Sequence, residues 1–328
     1  MTGWSRRPRA WVAVAGCLLA CSASVTAATA AGPFRASPVV SAGQDRAGPD
    51  RAGQDHVEPA ASVRVLQMNL CGSGAARCYT GRSVQEASEV IRAQAPDVVT
   101  VNEVCRDDVT TLEHALAATG AGGVVGSAFQ AAWDRRTGAA LRCRNGRPYG
   151  IGLVARLAPV PRGYTTIGGT YPMQDPGNAE ERAWLCLSPA APAPGTPAPN
   201  TPAAATPVAV CTTHLASSSA AVARAQCGYL LDTAIPAVRA HAGTVPVVLG
   251  GDLNLRSGGS PDVRSCVPAG DRRADDGLVQ HVVASSELVI GSLRTIAMLA
   301  TDHPGLLVTL TREPPAAAPT VTLAGSGR

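Results

Sequence analysis

Short apolar runs alternate with helically spaced stretches along most of the chain. Val63–Leu70 and Asp97–Val104 have strand length, and between them Val84, Ala87, Val90 and Ile91 recur at helical spacing across Ser83–Gln94. Pro96 ends that helix. A second helix is predicted over Thr110–Ala118, capped by Asp107 or Asp108. Strands follow at Tyr149–Arg156, Ala183–Leu187 and Val208–His214. Ser217–Ala240 then reads as a long helix, bent or split at Pro236. Val245–Leu249, Val279–Ala284 and Leu306–Thr311 complete the strand set, and many strands with a few interposed helices predict an α/β layered fold.

The flanks differ from this pattern. Residues 1–30 read as a secretory signal peptide: Arg6, Arg7 and Arg9 precede an apolar run from Ala10 to Val25, with an Ala28-x-Ala30 exit. Two export variants are open, a lipobox-like Leu18–Cys21 that would anchor the chain through a lipid on Cys21, and a twin-arginine signal at Arg6-Arg7. Residues 31–61 carry the near-repeat GQDRAGPDRAGQD and read as a disordered spacer. The folded domain is expected over 62–312, with a Pro/Ala/Thr-rich insertion at 188–207 and a flexible tail at 313–328.

Charge narrows the partners. All 28 basic residues are Arg, and net charge is +4. Without the first 30 residues, 25 Arg face 24 acids, which is not the footprint of a tight, non-specific DNA binder. No stable protein partner is implied, and a membrane enters only through a lipid on Cys21.

Cys71, Cys78, Cys105, Cys143, Cys186, Cys211, Cys227 and Cys266 lie beyond the signal, even in number and without zinc-ligand spacing, so they read as disulfides. Many connectivities are open. Pairing neighbours gives Cys71–Cys78, Cys105–Cys143, Cys186–Cys211 and Cys227–Cys266.

The candidate chemistry stands where apolar strands meet their loops, the usual place for an α/β active site. The first strand ends in Gln67-Met68-Asn69, the second in Asn102-Glu103, and later ones in Thr212-Thr213-His214 and Gly250-Gly251-Asp252-Leu253-Asn254. The last is preceded by Thr301-Asp302-His303. Hard oxygen donors such as Asn69, Glu103 and Asp302 suit Mg²⁺, Mn²⁺ or Ca²⁺, not zinc. Each element alone has an ordinary explanation as a turn, a cap or a buried histidine.

MN, NEV, TTHL, GGDLN and TDHPG, in this order from about Val63 to Arg312, resemble the endonuclease/exonuclease/phosphatase (deoxyribonuclease I-like) family. The resemblance implies a four-layer sandwich, two facing and mostly antiparallel β-sheets flanked by helices. It implies metal-assisted attack of water on a phosphoester. Glu103, with Asn69 and Asp302, matches the metal site. Asp252 and Asn254 match the pair that orients water and a phosphate oxygen, while His214 and His303 match the two histidines at the scissile phosphate. Tyr149, Arg182 and Arg256 are candidate substrate contacts. Where many relatives carry an Asp that orients the final histidine, this chain has Gln280, whose carbonyl can accept from His303 without supplying charge.

A secreted, deoxyribonuclease-like phosphodiesterase is therefore the leading expectation, with DNA among the candidate substrates. Inositol-phosphate and phospholipid phosphoesterases of the same family are alternatives. Leu249 stands where inositol-polyphosphate phosphatases have Trp, and with 2 Phe and 4 Trp the chain is poor in the aromatics that a membrane-entering hairpin needs. A non-catalytic phosphate- or nucleic-acid-binding protein is the alternative of another class, resting on Gln280.

Overall fold

On strand β1 (Ser62–Asn69) the pleat sends alternate side chains to opposite faces. Leu66 and Met68 pack with Ala87 and Ile91 of helix α1 (Ser83–Gln94), whereas Val65 joins a core shared with a second sheet. The computed structural model describes residues 62–191, 207–243 and 245–312, all within one compact unit. The expected signal peptide, spacer and tail, and positions 192–206 of the insertion, lie outside the described residues.

The first sheet has the order β14 (Leu288–Ile296), β15 (Gly305–Arg312), β1, β2 (Val98–Cys105), β6 (Tyr149–Leu157), β3 (Val124–Ala131). The second has the order β12 (Arg272–Asp275), β13 (Gln280–Ala284), β11 (Val247–Asp252), β10 (Ala209–His214), β9 (Ala183–Pro189), β7 (Tyr164–Thr170). Each sheet is antiparallel except for one central parallel pair, β1 with β2 and β10 with β11. Parallel neighbours need a crossover, and helices supply both. The first is α1. The second comprises α3 (Ala220–Tyr229), a π turn at Leu230–Ala234 and α4 (Ile235–Ala242).

Helix α2 (Arg106–Ala117) packs Val109, Leu112 and Leu116 beside α1 on the first sheet's outer face. Residues of α3 and α4 pack on the second sheet with Cys211, Val247 and Leu249. Between the sheets lie Val65, Val98, Leu153, Leu185, Val210, Val248, Val282 and Val308. The four-layer sandwich is thus as expected. A small third sheet of β4 (Trp133–Asp134), β5 (Ala139–Ala140) and β8 (Glu180–Glu181) sits apart from these two.

Two helix expectations change. Helix α2 starts at Arg106, because Asp108 inside its first turn accepts from the Cys105 backbone N–H and Cys105 is the cap. The long helix is interrupted before Pro236, which sits in the first turn of α4, where its missing N–H leaves no bond unmade. All four disulfides pair as neighbours in sequence.

The inward positions turn from apolar to polar along each central strand. On β1 they run Val65, Gln67, Asn69; on β2, Val98, Thr100, Asn102; on β11, Val248, Gly250, Asp252. The glycines fit because the sheets approach closely here. A Cβ on Gly250 would run into Thr100 Oγ1 on the facing sheet, and one on Gly251 would meet the Thr213 carbonyl oxygen of the neighbouring strand β10 at 2.5 Å. Gly250→Ala is therefore expected to destabilise the fold by about 1–3 kcal/mol or more through overpacking, read as a lowered midpoint in urea unfolding. An unchanged midpoint would show that the sheets can separate at no cost.

Candidate active site

Every strand-end residue named above sits at the polar end of the sandwich or in a loop leaving it. Asn69, 1 % exposed, donates from Nδ2 to Glu103 Oε1 (3.1 Å) and to Asp252 Oδ2 (3.2 Å), so one amide ties carboxylates from both sheets. Its Oδ1 accepts from the Cys71 backbone N–H at 3.1 Å. Glu103 stands in a bulge between Val101 and Val104, with φ +54°, a left-handed conformation costly for a residue with a Cβ. Bulges re-aim side chains, and here the Glu103 carbonyl also accepts from Gly72 N–H at 2.6 Å. Asn254, with φ +51°, donates its N–H to Asp252 Oδ1 (3.1 Å) and its side chain to the Leu215 carbonyl (3.0 Å). Asparagine tolerates that backbone region better than most residues.

Asp252 is buried among donors. Its Oδ2 receives Asn69 and also Gln280 Nε2 (2.9 Å), and His303 Nε2 lies 3.8 Å away. Burial pushes the Asp252 carboxyl up, while His303, the Asn69 amide and the Asn254 N–H pull it back. His303 Nε2 is also 3.8 Å from Asp302 Oδ1, whose side chain is 55 % exposed. Thr301 pins this loop by donating to the Asn69 carbonyl at 2.8 Å.

Gln280 does not take the orienting role expected of it. Its Oε1 accepts from Gln67 Nε2 (2.9 Å) and its Nε2 serves Asp252, so neither end reaches the imidazole. His303 Nδ1 is buried without a partner among the described residues. The carboxylates beside this histidine are instead Asp252 and Asp302.

His214 is buried, and Arg182 Nη1 lies 2.8 Å from its Nδ1. A guanidinium only donates, so Nδ1 accepts and the neutral ring carries its proton on Nε2. Burial, then the charge of Arg182, then His303 hold the His214 pKa well below the usual histidine range. Arg182 itself departs from the expected phosphate grip: its ends are committed to Glu180 (2.7 Å), His214 and Ser217 (3.2 Å) inside the wall of the site. Tyr149 is buried too, and its hydroxyl is pushed well up by burial first and then by Glu180 and Glu103. Arg256 is exposed; its carbonyl closes a turn to Gly259 and Val263, and nothing described ties its side chain to the cluster.

The residues to which the sequence assigned no role are the amides behind the site. Gln67 Nε2 donates to Asn102 Oδ1 (2.7 Å), Asn102 Oδ1 also accepts from the Asp252 N–H (2.8 Å), and Asn102 Nδ2 donates to the Thr213 carbonyl (2.8 Å). Thr100 donates to Gln67 Oε1 at 2.6 Å. Their period-two placement at inward positions was the available signal.

Two sets of groups offer themselves to a cation. Cys71, Cys78 and Asp302 lie close together, but the two sulfurs are bonded to each other and offer no thiolate. The carboxylates of Glu103 and Asp252, bridged by Asn69, are hard oxygen donors of the kind Mg²⁺, Mn²⁺ or Ca²⁺ takes, while Asp302, on the adjoining loop, stands within 4.8 Å of the Cys71 and Cys78 sulfurs.

Residues 66–303 match the model of the Endonuclease/Exonuclease/phosphatase family. The chain belongs to this family. Solved structures agree on the fold. The endonuclease/exonuclease/phosphatase from Beutenbergia cavernae is 23 % identical, with a TM-score of 0.53, over 77 % of this chain and 72 % of that one. The human Nocturnin catalytic domain with bound sulfate gives 14 % and 0.55, over 77 % and 94 %. The family member from Bacteroides vulgatus gives 13 % and 0.54, over 77 % and 100 %. No curated protein matches the sequence. Family membership points to a hydrolase superfamily and supports, in general, a phosphoester substrate.

Burial of neutral histidines has a consequence for stability. His281, on β13, is also buried, and burial lowers its pKa. In the unfolded chain both imidazoles take up protons near pH 6.5, so their contribution is whole above that pH and is lost as pH falls below it, by up to about 1.4 kcal/mol per unit for each ring. The fold is thus expected to be less stable at pH 5.5 than at pH 7.5, and His281→Asn to make that drop shallower. Equal drops in denaturant unfolding of both proteins would contradict this.

Proposed function

We propose that the chain is a secreted, metal-dependent phosphodiesterase of deoxyribonuclease-like activity. The observation that carries this reading is the single amide of Asn69 joining Glu103 to a buried Asp252 that lies 3.8 Å from His303. Four disulfides and the basic, apolar start of the chain support export to an oxidising compartment.

Glu103 and Asp302, with Asp252 beside them, are the residues that would hold Mg²⁺, whereas Asn69, expected as a ligand, turns its Nδ2 to both carboxylates and would orient them. When bound, such a cation supplies Lewis-acid polarisation of a phosphoryl oxygen. His214 presents a fixed Nε2–H, a donor for a phosphate oxygen or the departing oxygen. Its lowered pKa keeps the ring neutral throughout the physiological range. Asn254 and Asp252 are locked to each other and to the Leu215 carbonyl, so a water held between them meets a preset geometry. His303 and Asp252 act as a pair: the carboxylate stabilises the imidazolium formed when the ring takes the water's proton.

The test uses plasmid DNA, bis(p-nitrophenyl) phosphate and sphingomyelin, each with Mg²⁺ and with EDTA. Turnover of a diester is expected, abolished by EDTA and lowered about 100-fold or more by Asp252→Ala or His303→Ala. Preference for sphingomyelin would move the substrate to phospholipids. No turnover of any substrate, with phosphate-dependent binding retained, would favour a non-catalytic binding protein, the reading that the unpartnered His303 Nδ1 favours.

A further inference from the structure

Residues 133–147 form an arm along one wall of the site. The segment contains β4 and β5 and continues through a loop to the start of β6. Four of its fastenings lie within a few positions of site residues in the chain. Trp133 pairs with Glu181, adjacent to Arg182. Arg135 donates to the carbonyls of Pro176 and Asn178, in the loop ahead of Arg182. Cys143 is bonded to Cys105, two residues beyond Glu103. The Arg144 N–H donates to the Ser73 carbonyl, in the loop leaving Asn69. The arm therefore spans from the His214 side of the pocket to the Glu103 side.

Its composition is unlike the rest of the domain. Five arginines and one aspartate give these fifteen residues a net charge of +4, equal to that of the whole chain. The remainder of 62–312 holds 16 arginines against 18 acids, a net −2. Arg135, Arg136, Arg142, Arg144 and Arg147 are all exposed, and Trp133, on a strand of the small sheet, is 40 % exposed. Asp134 pairs with Arg136, and Asp107 of α2 with Arg147, which leaves Arg135, Arg142 and Arg144 without an ion pair among the described residues.

We infer that the arm binds a single-stranded polynucleotide and feeds it to the site, an inference that rests on the phosphodiesterase reading above. Closely spaced guanidinium groups match a phosphate backbone, and an exposed indole is a platform for an unstacked base. A duplex hides its base faces, so the tryptophan gives the single strand an advantage that charge alone does not. Overall charge concealed this surface, because the arm's excess is cancelled elsewhere in the domain.

The experiment compares the full chain with Trp133→Ala and with the triple variant Arg136→Ser/Arg142→Ser/Arg144→Ser. Substrates are a fluorescein-labelled 20-nucleotide single-stranded DNA and bis(p-nitrophenyl) phosphate, which is too small to span the arm. Each variant is expected to raise KM for the oligonucleotide about tenfold, and the triple variant to flatten the log–log salt dependence by about 2 units. Turnover of the small diester stays unchanged, which also shows that the variants fold. Unchanged oligonucleotide KM, tighter competition by the matching duplex than by the single strand, or arm-dependent binding of phosphatidylserine vesicles in preference to the oligonucleotide would each overturn the inference. If the wild-type chain turns over neither substrate, the phosphodiesterase reading fails. The arm is then judged by fluorescence anisotropy of the same oligonucleotide in EDTA: weakened binding in both variants upholds it, and unchanged binding overturns it.

Discussion

A seam of buried amides across the sandwich is the constraint on which the site depends. Gln67 of β1 bonds Gln280 of β13, Asn102 of β2 bonds the backbone of β10 and β11, and Asn69 of β1 bonds Asp252 of β11. Leaving one such group unpaired in the interior costs about 1–3 kcal/mol. A slip of either sheet by one residue would unpair several together and turn the polar set outward, so the seam fixes register as well as spacing. The polar residues are thus placed by the same alternation that builds the apolar core, with side-chain character changing from Val to amide and carboxylate toward one rim.

The seam also sets the electrostatics. Asp252 is kept in a dry place, which raises its carboxyl, yet it is surrounded by donors and one imidazole that favour its charge. Gln280 contributes an amide to that shell in place of a second carboxylate, so Asp252 has no like charge on β13 to repel it. The histidines are separated in role by their neighbours. Arg182 fixes His214 as a neutral donor, whereas His303 faces two carboxylates.

Much of this was legible in the sequence. The eight strands read from apolar runs are the inner strands of the two large sheets; the four strands of those sheets that escaped notice, β3, β7, β12 and β14, are their edges, and the two-residue strands β4, β5 and β8 of the small sheet escaped notice as well. Edge strands such as β7 and β14 bury little, so no continuous apolar run marks them. Asn69, Glu103, Asp252 and Asn254 could be named because they follow apolar runs, and His303 because it leads into one. The role of Arg182 could not, because a buried guanidinium–imidazole contact joins residues 32 positions apart without a local signal. Gln280 was correctly marked as a departure, but its partners were decided by the facing strand.

The central claim is that residues from both sheets converge on one cation-and-phosphate pocket. Anomalous diffraction from crystals soaked in Mn²⁺ tests it most directly. The account predicts a peak within about 2.5 Å of a Glu103 carboxylate oxygen, lost in Glu103→Gln. A peak found only at Asp302 beside the Cys71–Cys78 disulfide, or one indifferent to Glu103→Gln, would contradict it.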